Sequence, residues 1–370
     1  MSDAAPLPTS IYDQLHAKTA RIPVTQWLVG INVLVFLAML GAGAGLWHSN
    51  NGIQLAWGAN FGPATQDGQW WRLGSAMFLH FGLIHIAMNM WALWDAGQLV
   101  ERMFGHLRFF VIYLASGLCG NLLSLVMQGN EAVSGGASGA IFGIYGALLI
   151  YLWLERANFD PKEFRWLFRT ASAFTCISIV LGLMVPGIDN SAHIGGLLSG
   201  ALLGMLLGRP LHDATPWSWQ GRLAGGLVLA ITIAGLATHI PAPSYRWSEE
   251  VAAREEIKEF FEREARIQSN WQEIIRQDRL NADSIRGLAE RIEHEIYQPY
   301  EQGFDELSQL KLSPASPSAA KIESLLEYSE KRRDQSQALA SQLRTRSLFG
   351  PNRSSLPGPL LAPVPSQPAP

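Results

Sequence analysis

Two small polar residues carry the chemistry this chain could do. Ser138 lies in the run Gly135-Gly136-Ala137-Ser138-Gly139 and opens an apolar stretch from Ala140 to Leu154. His193 lies in Ser191-Ala192-His193-Ile194-Gly195-Gly196 and opens another. Serine and histidine are the minimum pair for nucleophilic acyl transfer, the hydroxyl attacking and the imidazole moving its proton. A lone serine at the start of an apolar helix is a cap or a packing residue. Both residues at the mouths of such helices point to a site.

The elements that must position this pair follow from composition. Of 370 residues, 48% are hydrophobic and 16% charged, and most of the charge lies after Pro241. The net charge of −3 says little about partners, and no basic block suggests nucleic acid. Cys119 and Cys176 fall in apolar stretches and read as small buried hydrophobes, not a disulfide framework. Stretches near 26–46, 77–97, 108–127, 138–154, 170–186, 192–208 and 221–240 are apolar and long enough to span a bilayer. The first exceeds a signal-peptide core and follows a long leader, so it reads as an uncleaved helix. The fold class expected is all-α, a polytopic membrane helix bundle with six core spans and a seventh.

Loop charges orient the bundle. With a cytoplasmic N-terminus, Lys18, Arg21, Arg102, Arg108, Arg156, Lys162, Arg165, Arg169, Arg209 and Arg222 all lie inside. The outside loops up to the sixth span hold only Arg72. The second, fourth and sixth spans then begin at the outer surface, and their first turns carry His80, His85 and Asn89, then Ser138, then His193. Polar side chains at one depth imply one cavity, open to the outside. Gly139, Gly143 and Gly146 recur at helical spacing in the fourth span, and Gly196, Gly200, Gly204 and Gly208 in the sixth. Such faces let helix backbones meet closely in lipid.

The same spacing assigns candidate roles. Ser138 at a helix N-terminus offers a free backbone N–H to developing negative charge. His85 and Asn89, one turn apart, supply further donors, with Gly136 permitting close approach of a substrate backbone. Phe142, one turn below Ser138, packs on the His193 ring. His80 has the weakest claim, as a supporting residue near the cavity. No Asp or Glu is placed to complete a triad, so the expectation is a dyad. No metal or other cofactor is expected, since the histidines lack a further ligand at familiar spacing.

These residues carry a family resemblance. Gly136-Ala137-Ser138-Gly139 resembles the GxSG motif of rhomboid intramembrane serine proteases, and His85-Ile86-Ala87-Met88-Asn89 their HxxxN motif. Ala192-His193 with Gly196 and Gly200 is similar to their AHxxGxxxG signature. Trp71-Arg72, the Gly58–Gly62 region and Glu101-Arg102 also match, so the resemblance covers about three-fifths of the chain. It implies a Ser138–His193 dyad, with His85, Asn89 and the Ser138 backbone stabilising the oxyanion. It also implies transmembrane protein substrates, cut in or beside their membrane segments in the lipid bilayer. The rival readings are a non-catalytic rhomboid-like protein that binds transmembrane clients, against which both Ser138 and His193 count, and a transporter. A transport site sits near the midplane with access from both sides, whereas these polar residues cluster at one face.

The expected organisation is a cytoplasmic N-terminus at 1–25, a six-span core at 26–208, and a loop with the seventh span at 209–240. A helical extracytoplasmic domain follows at 245–346, broken at Leu312-Ser313-Pro314-Ala315-Ser316-Pro317, and then a disordered Pro-rich tail at 350–370. Binding of an unknown extracytoplasmic protein is one role open to that appendage. The positive-inside bias and the uncleaved first helix favour a bacterial inner membrane.

Overall fold

The computed structural model describes residues 10–211, 218–279 and 284–348. The Pro-rich tail expected at 350–370 lies outside the described residues. The chain divides into two compact units, Met1–Pro243 and Ser244–Pro370. Both are helical, as expected, and the described residues contain no strand beyond one isolated bridge between Asn60 and Ser134.

The first unit opens with a short helix α1 (Ile11–Lys18), which buries Ile11 and Leu15, and then α2 (Pro23–Gly41). The first loop winds through α3 (Asn51–Ala56), α4 (Gly62–Gln66) and α5 (Arg72–Ser75). Buried Arg72 gathers this loop, donating to Leu55 O, Ala59 O and Gln69 Oε1 at 2.7, 3.1 and 2.7 Å. The remaining helices are α6 (Leu83–Phe104), α7 (His106–Gln128), α8 (Ser138–Glu155), α9 (Pro161–Met184), α10 (Asn190–Leu207) and α11 (Trp219–Thr238). Among the described residues, six helices are long and apolar enough to cross a membrane; α6 reaches that measure only with Arg72–Phe78, from which it is bent by 93°. The chain is a multi-pass membrane protein. In α8 72% of the most apolar window is buried, against 6% in α11, so α8 is the central helix and α11 a peripheral one.

Two helix starts differ most from the sequence expectation. The second span was expected from residue 77, with His80 in its first turn, but α6 begins at Leu83. Residues 79–82 are bonded to the first loop instead: Ser49 N–H donates to Phe81 O and Leu83 N–H to Leu46 O, both at 2.8 Å. Gly82 passes so near Trp47 O that a side chain there would collide with it. The fifth span was expected from 170, yet α9 begins at Pro161. The Asp160 carboxylate caps it, accepting from Lys162 N and Glu163 N at 2.8 and 3.2 Å. Arg165 and Arg169 are therefore helical, extending α9 beyond its apolar part.

Buried Glu101, near the end of α6, holds the start of α2. Its carboxylate accepts from Val24 N, Thr25 N and Thr25 Oγ1 at 3.0, 2.8 and 2.7 Å, satisfying donors that a helix start leaves free. After α11, the carbonyls of Pro241 and Ala242 accept from Gln66 Nε2 and Asn130 Nδ2, both at 3.0 Å. The first unit thus ends fastened to its first loop and to the loop before α8.

The second unit comprises α12 (Trp247–Arg279), α13 (Ile285–Ile292), a π-helical turn (Glu293–Tyr297), α14 (Gln298–Ser308) and α15 (Ala319–Leu348). Its own core includes Ile257, Phe260, Trp271, Leu288, Leu325 and Tyr328. The turn before α15 is organised by buried Glu250, which accepts from Ser316 Oγ, Ser318 N and Ser318 Oγ at 2.5, 3.0 and 2.9 Å. Arg254 Nε donates to the same carboxylate at 2.7 Å. Burial alone would raise its pKa, but the hydrogen bonds from Ser316, Arg254 and Ser318 outweigh it and lower the value. A carboxylate depressed in the folded state contributes stability above its unfolded pKa and loses it as pH falls through the folded one. The stability of this unit should therefore fall as pH drops below the ordinary value of 4.5. Glu250→Gln should blunt that acid dependence and cost about 2 kcal/mol at neutral pH, read by thermal unfolding across pH.

Candidate active site

The site depends on how closely α8 and α10 approach. A side-chain carbon on Gly196 would collide with Gly139 O, and one on Gly200 with Gly143 O. A side-chain carbon on Gly143 itself would collide with Ser116 Oγ of α7. Only glycine fits these crossings, so the small-residue faces read from the sequence do meet. Gly196 and Gly200 support the site by removing the bulk that would separate its two helices.

Ser138 is the first residue of α8 and His193 stands in the first turn of α10. His193 Nε2 lies 2.8 Å from Ser138 Oγ, hydrogen-bonding distance. The Phe142 ring stacks on the imidazole, with centroids 4.3 Å apart and planes within 9°. That contact fixes the ring plane so that Nε2 faces the hydroxyl. His193 Nδ1 is buried without a hydrogen-bond partner among the described residues, so no carboxylate grips the far side of the ring.

His85 and Asn89 lie on α6, facing the same region. Phe81 N–H donates to His85 Nδ1 at 3.4 Å, which makes Nδ1 the acceptor and leaves the proton on Nε2. That nitrogen points toward Gly136: a side-chain carbon there would sit 3.0 Å from His85 Nε2 and 3.7 Å from Ser138 Oγ. Gly136 has φ +148°, a conformation that favours glycine, and its N–H donates to Ala76 O at 2.8 Å. With that N–H occupied, Gly136 supplies room and not a donor. One Asn89 amide proton goes to His85 O of its own helix, at 2.9 Å. His80, outside α6, is fully buried with its ring 5.1 Å from that of His85, so it packs behind that residue. Among the described residues, no group of three His, Cys, Asp or Glu side chains could hold a metal ion.

Residues 67–210, which include all of these side chains, match the family described as Rhomboid domain. The chain carries a rhomboid domain. Rhomboid protease GluP of Bacillus subtilis is 34% identical over 233 residues, covering 63% of this chain and 44% of that protein. RHOMBOID-like protein 2 of Arabidopsis thaliana is 47% identical over 152 residues, 40% of this chain and 46% of that one. Rhomboid-like protease 1 of Toxoplasma gondii is 34% identical over 185 residues, 49% of this chain and 62% of that protein. The chain spans about half the length of the curated relatives it matches.

One residue of this rhomboid domain escapes a sequence search for catalytic types. Asp189 caps α10, its carboxylate accepting from Ala192 N at 3.1 Å. The signal was present, an Asp immediately before an apolar helix with free N–H groups three residues on. For the rhomboid fold itself, Gly200→Val should be more damaging than any polar change in the site. Overpacking the α8–α10 crossing costs about 3 kcal/mol or more, because backbone cannot move aside as a side chain can. A thermal-shift series in detergent should show a large drop for Gly200→Val and little change for Gly226→Val on peripheral α11, where the nearest atoms belong to a flexible Leu206 side chain.

Proposed function

We propose that this rhomboid is an intramembrane serine endopeptidase that cleaves transmembrane proteins in or near their membrane segments. The observation that carries the reading is the 2.8 Å separation of Ser138 Oγ and His193 Nε2 at the adjoining mouths of two membrane helices. Ser138 Oγ attacks the scissile carbonyl while His193 Nε2 takes its proton. The developing oxyanion is met by the Ser138 backbone N–H, which has no acceptor within its own helix turn, and by His85 Nε2–H. The second amide proton of Asn89 is the third donor. His193 then returns its proton to the leaving amine, and a water activated by the same nitrogen releases the acyl group. Phe142 keeps the imidazole plane fixed through both proton transfers.

The loop charges favour a cytoplasmic N-terminus and a site opening to the other aqueous phase, from which the hydrolytic water comes. The same pattern fits a bacterial inner membrane. Retention of both reacting side chains at bonding distance favours catalysis over client binding alone.

Ser138→Ala should abolish cleavage of a short transmembrane substrate in liposomes, with thermal stability retained. His193→Ala should be nearly as damaging. The double variant should be no worse than the worse single one, because the two residues act as a unit. Full activity in the alanine variant at position 138 would rule out the dyad.

His85→Ala and Asn89→Ala should each lower kcat about 10²–10³-fold with KM little changed, since their donors act on transition-state charge. A change confined to KM would make them substrate-binding residues instead. Steady-state cleavage kinetics over a range of substrate mole fractions in lipid separate the two cases.

A further inference from the structure

The geometry assigns Asp189 as a positioning residue, a latch that holds the nucleophile-bearing loop and the histidine-bearing helix in register. This inference rests on the proteolytic reading and adds a residue to it. One carboxylate collects three donors from three segments. Ser124 Oγ of α7 lies 2.5 Å away, Ser134 Oγ of the loop before α8 lies 2.7 Å away, and Ala192 N of α10 lies 3.1 Å away. Both serines are buried, so their hydroxyls need hydrogen-bond partners, which the carboxylate supplies.

The consequence for the dyad lies in the spacing. Ser134 is four residues before Ser138, and Asp189 is four residues before His193. Ser134 is further clamped to the first loop, exchanging N–H···O bonds with Asn60 at 2.8 and 2.9 Å. Between Ser134 and Ser138 the backbone is fixed again where Gly136 N–H meets Ala76 O. His193 N–H donates in turn to Asp189 O at 3.3 Å, so the carboxylate anchors the first turn of α10 at its root. The glycine crossing sets how near the two helices lie. It leaves sliding along the helix axes, and Asp189 blocks that motion by binding both segments beside the reacting atoms. A misplacement of about 1 Å at such a contact can cost about 10²-fold in rate.

The test uses the full-length protein in liposomes and compares Asp189→Ala, Asp189→Asn and the double variant Ser124→Ala/Ser134→Ala. Asn is as good a helix cap as Asp, and its amide can donate to the two serine oxygens, so it rebuilds the latch without the charge. Expected are a roughly 30–100-fold fall in kcat for Asp189→Ala with KM changed less than about threefold, and recovery to within about fivefold of the parent for Asp189→Asn. The double serine variant should lose about tenfold in kcat while keeping the cap. Parent-like kcat in Asp189→Ala, equal impairment of the Asn and Ala variants, or full kcat in the double serine variant would each overturn the latch. The last holds even if Asp189→Ala does not fold. A second readout needs no turnover: the ¹⁵N resonance of His193 Nε2 should lose its hydrogen-bonded shift in Asp189→Ala, and an unchanged resonance overturns the latch. If Ser138→Ala cleaved as well as the parent, the proteolytic reading would fail, and the resonance would still decide the role of Asp189.

Discussion

The contact between α8 and α10 is the constraint on which the rest of this domain depends. Inside a bilayer the hydrophobic effect does not press helices together, so two of them meet closely only where their surfaces allow it. Gly139 and Gly143 on one helix and Gly196 and Gly200 on the other leave backbone against backbone. The Ser138–His193 distance follows from that crossing, since each side chain sits within one turn of the first glycine pair. An imidazole and a hydroxyl on helices separated by ordinary side chains would stand several ångströms apart, beyond direct proton transfer.

Close packing fixes separation, whereas register is set by polar atoms, among them three buried or half-buried carboxylates. Glu101 ties the start of α2 to the end of α6, Asp189 ties α10 to α7 and to the loop before α8, and Glu250 ties α12 to the turn before α15. Each satisfies backbone donors that a helix start or turn leaves unpaired, in surroundings where an unpaired donor is costly. None lies on a helix face that a hydrophobic pattern would single out. Their positions become intelligible only once the chain ends they bind are known.

What was legible in the sequence follows the same division. The spans could be read from length and apolar content, and the meeting of Ser138 with His193 from polar side chains at the mouths of glycine-faced helices. Phe142 on the His193 ring followed from one turn of helix. The start of α6 was not legible, because the residues before it are apolar enough to belong to a span. What excludes them from the helix is a set of backbone bonds from Ser49 and to Leu46, far away in sequence. Asp189 was not legible as a partner of His193, because its carboxylate meets serine hydroxyls and a backbone N–H and not the far side of the ring. Helix α1 was likewise unannounced: eight residues with two buried side chains make too weak a pattern to separate from a loop.

The tautomer of His85 shows how loop and helix act together at the site. A neutral imidazole offers one donor and one acceptor, and the choice decides whether it can face a developing anion. Phe81 N–H, in the stretch that the first loop holds out of α6, occupies Nδ1 and so leaves Nε2 protonated toward Gly136 and Ser138. Had α6 begun at residue 77, Phe81 N–H would have been bonded within the helix, and Nδ1 would have lost its fixed donor. The departure from helix at residues 79–82 therefore supplies a backbone donor to His85 Nδ1. The winding of the first loop, Arg72 included, thereby bears on the chemistry of a ring it does not touch.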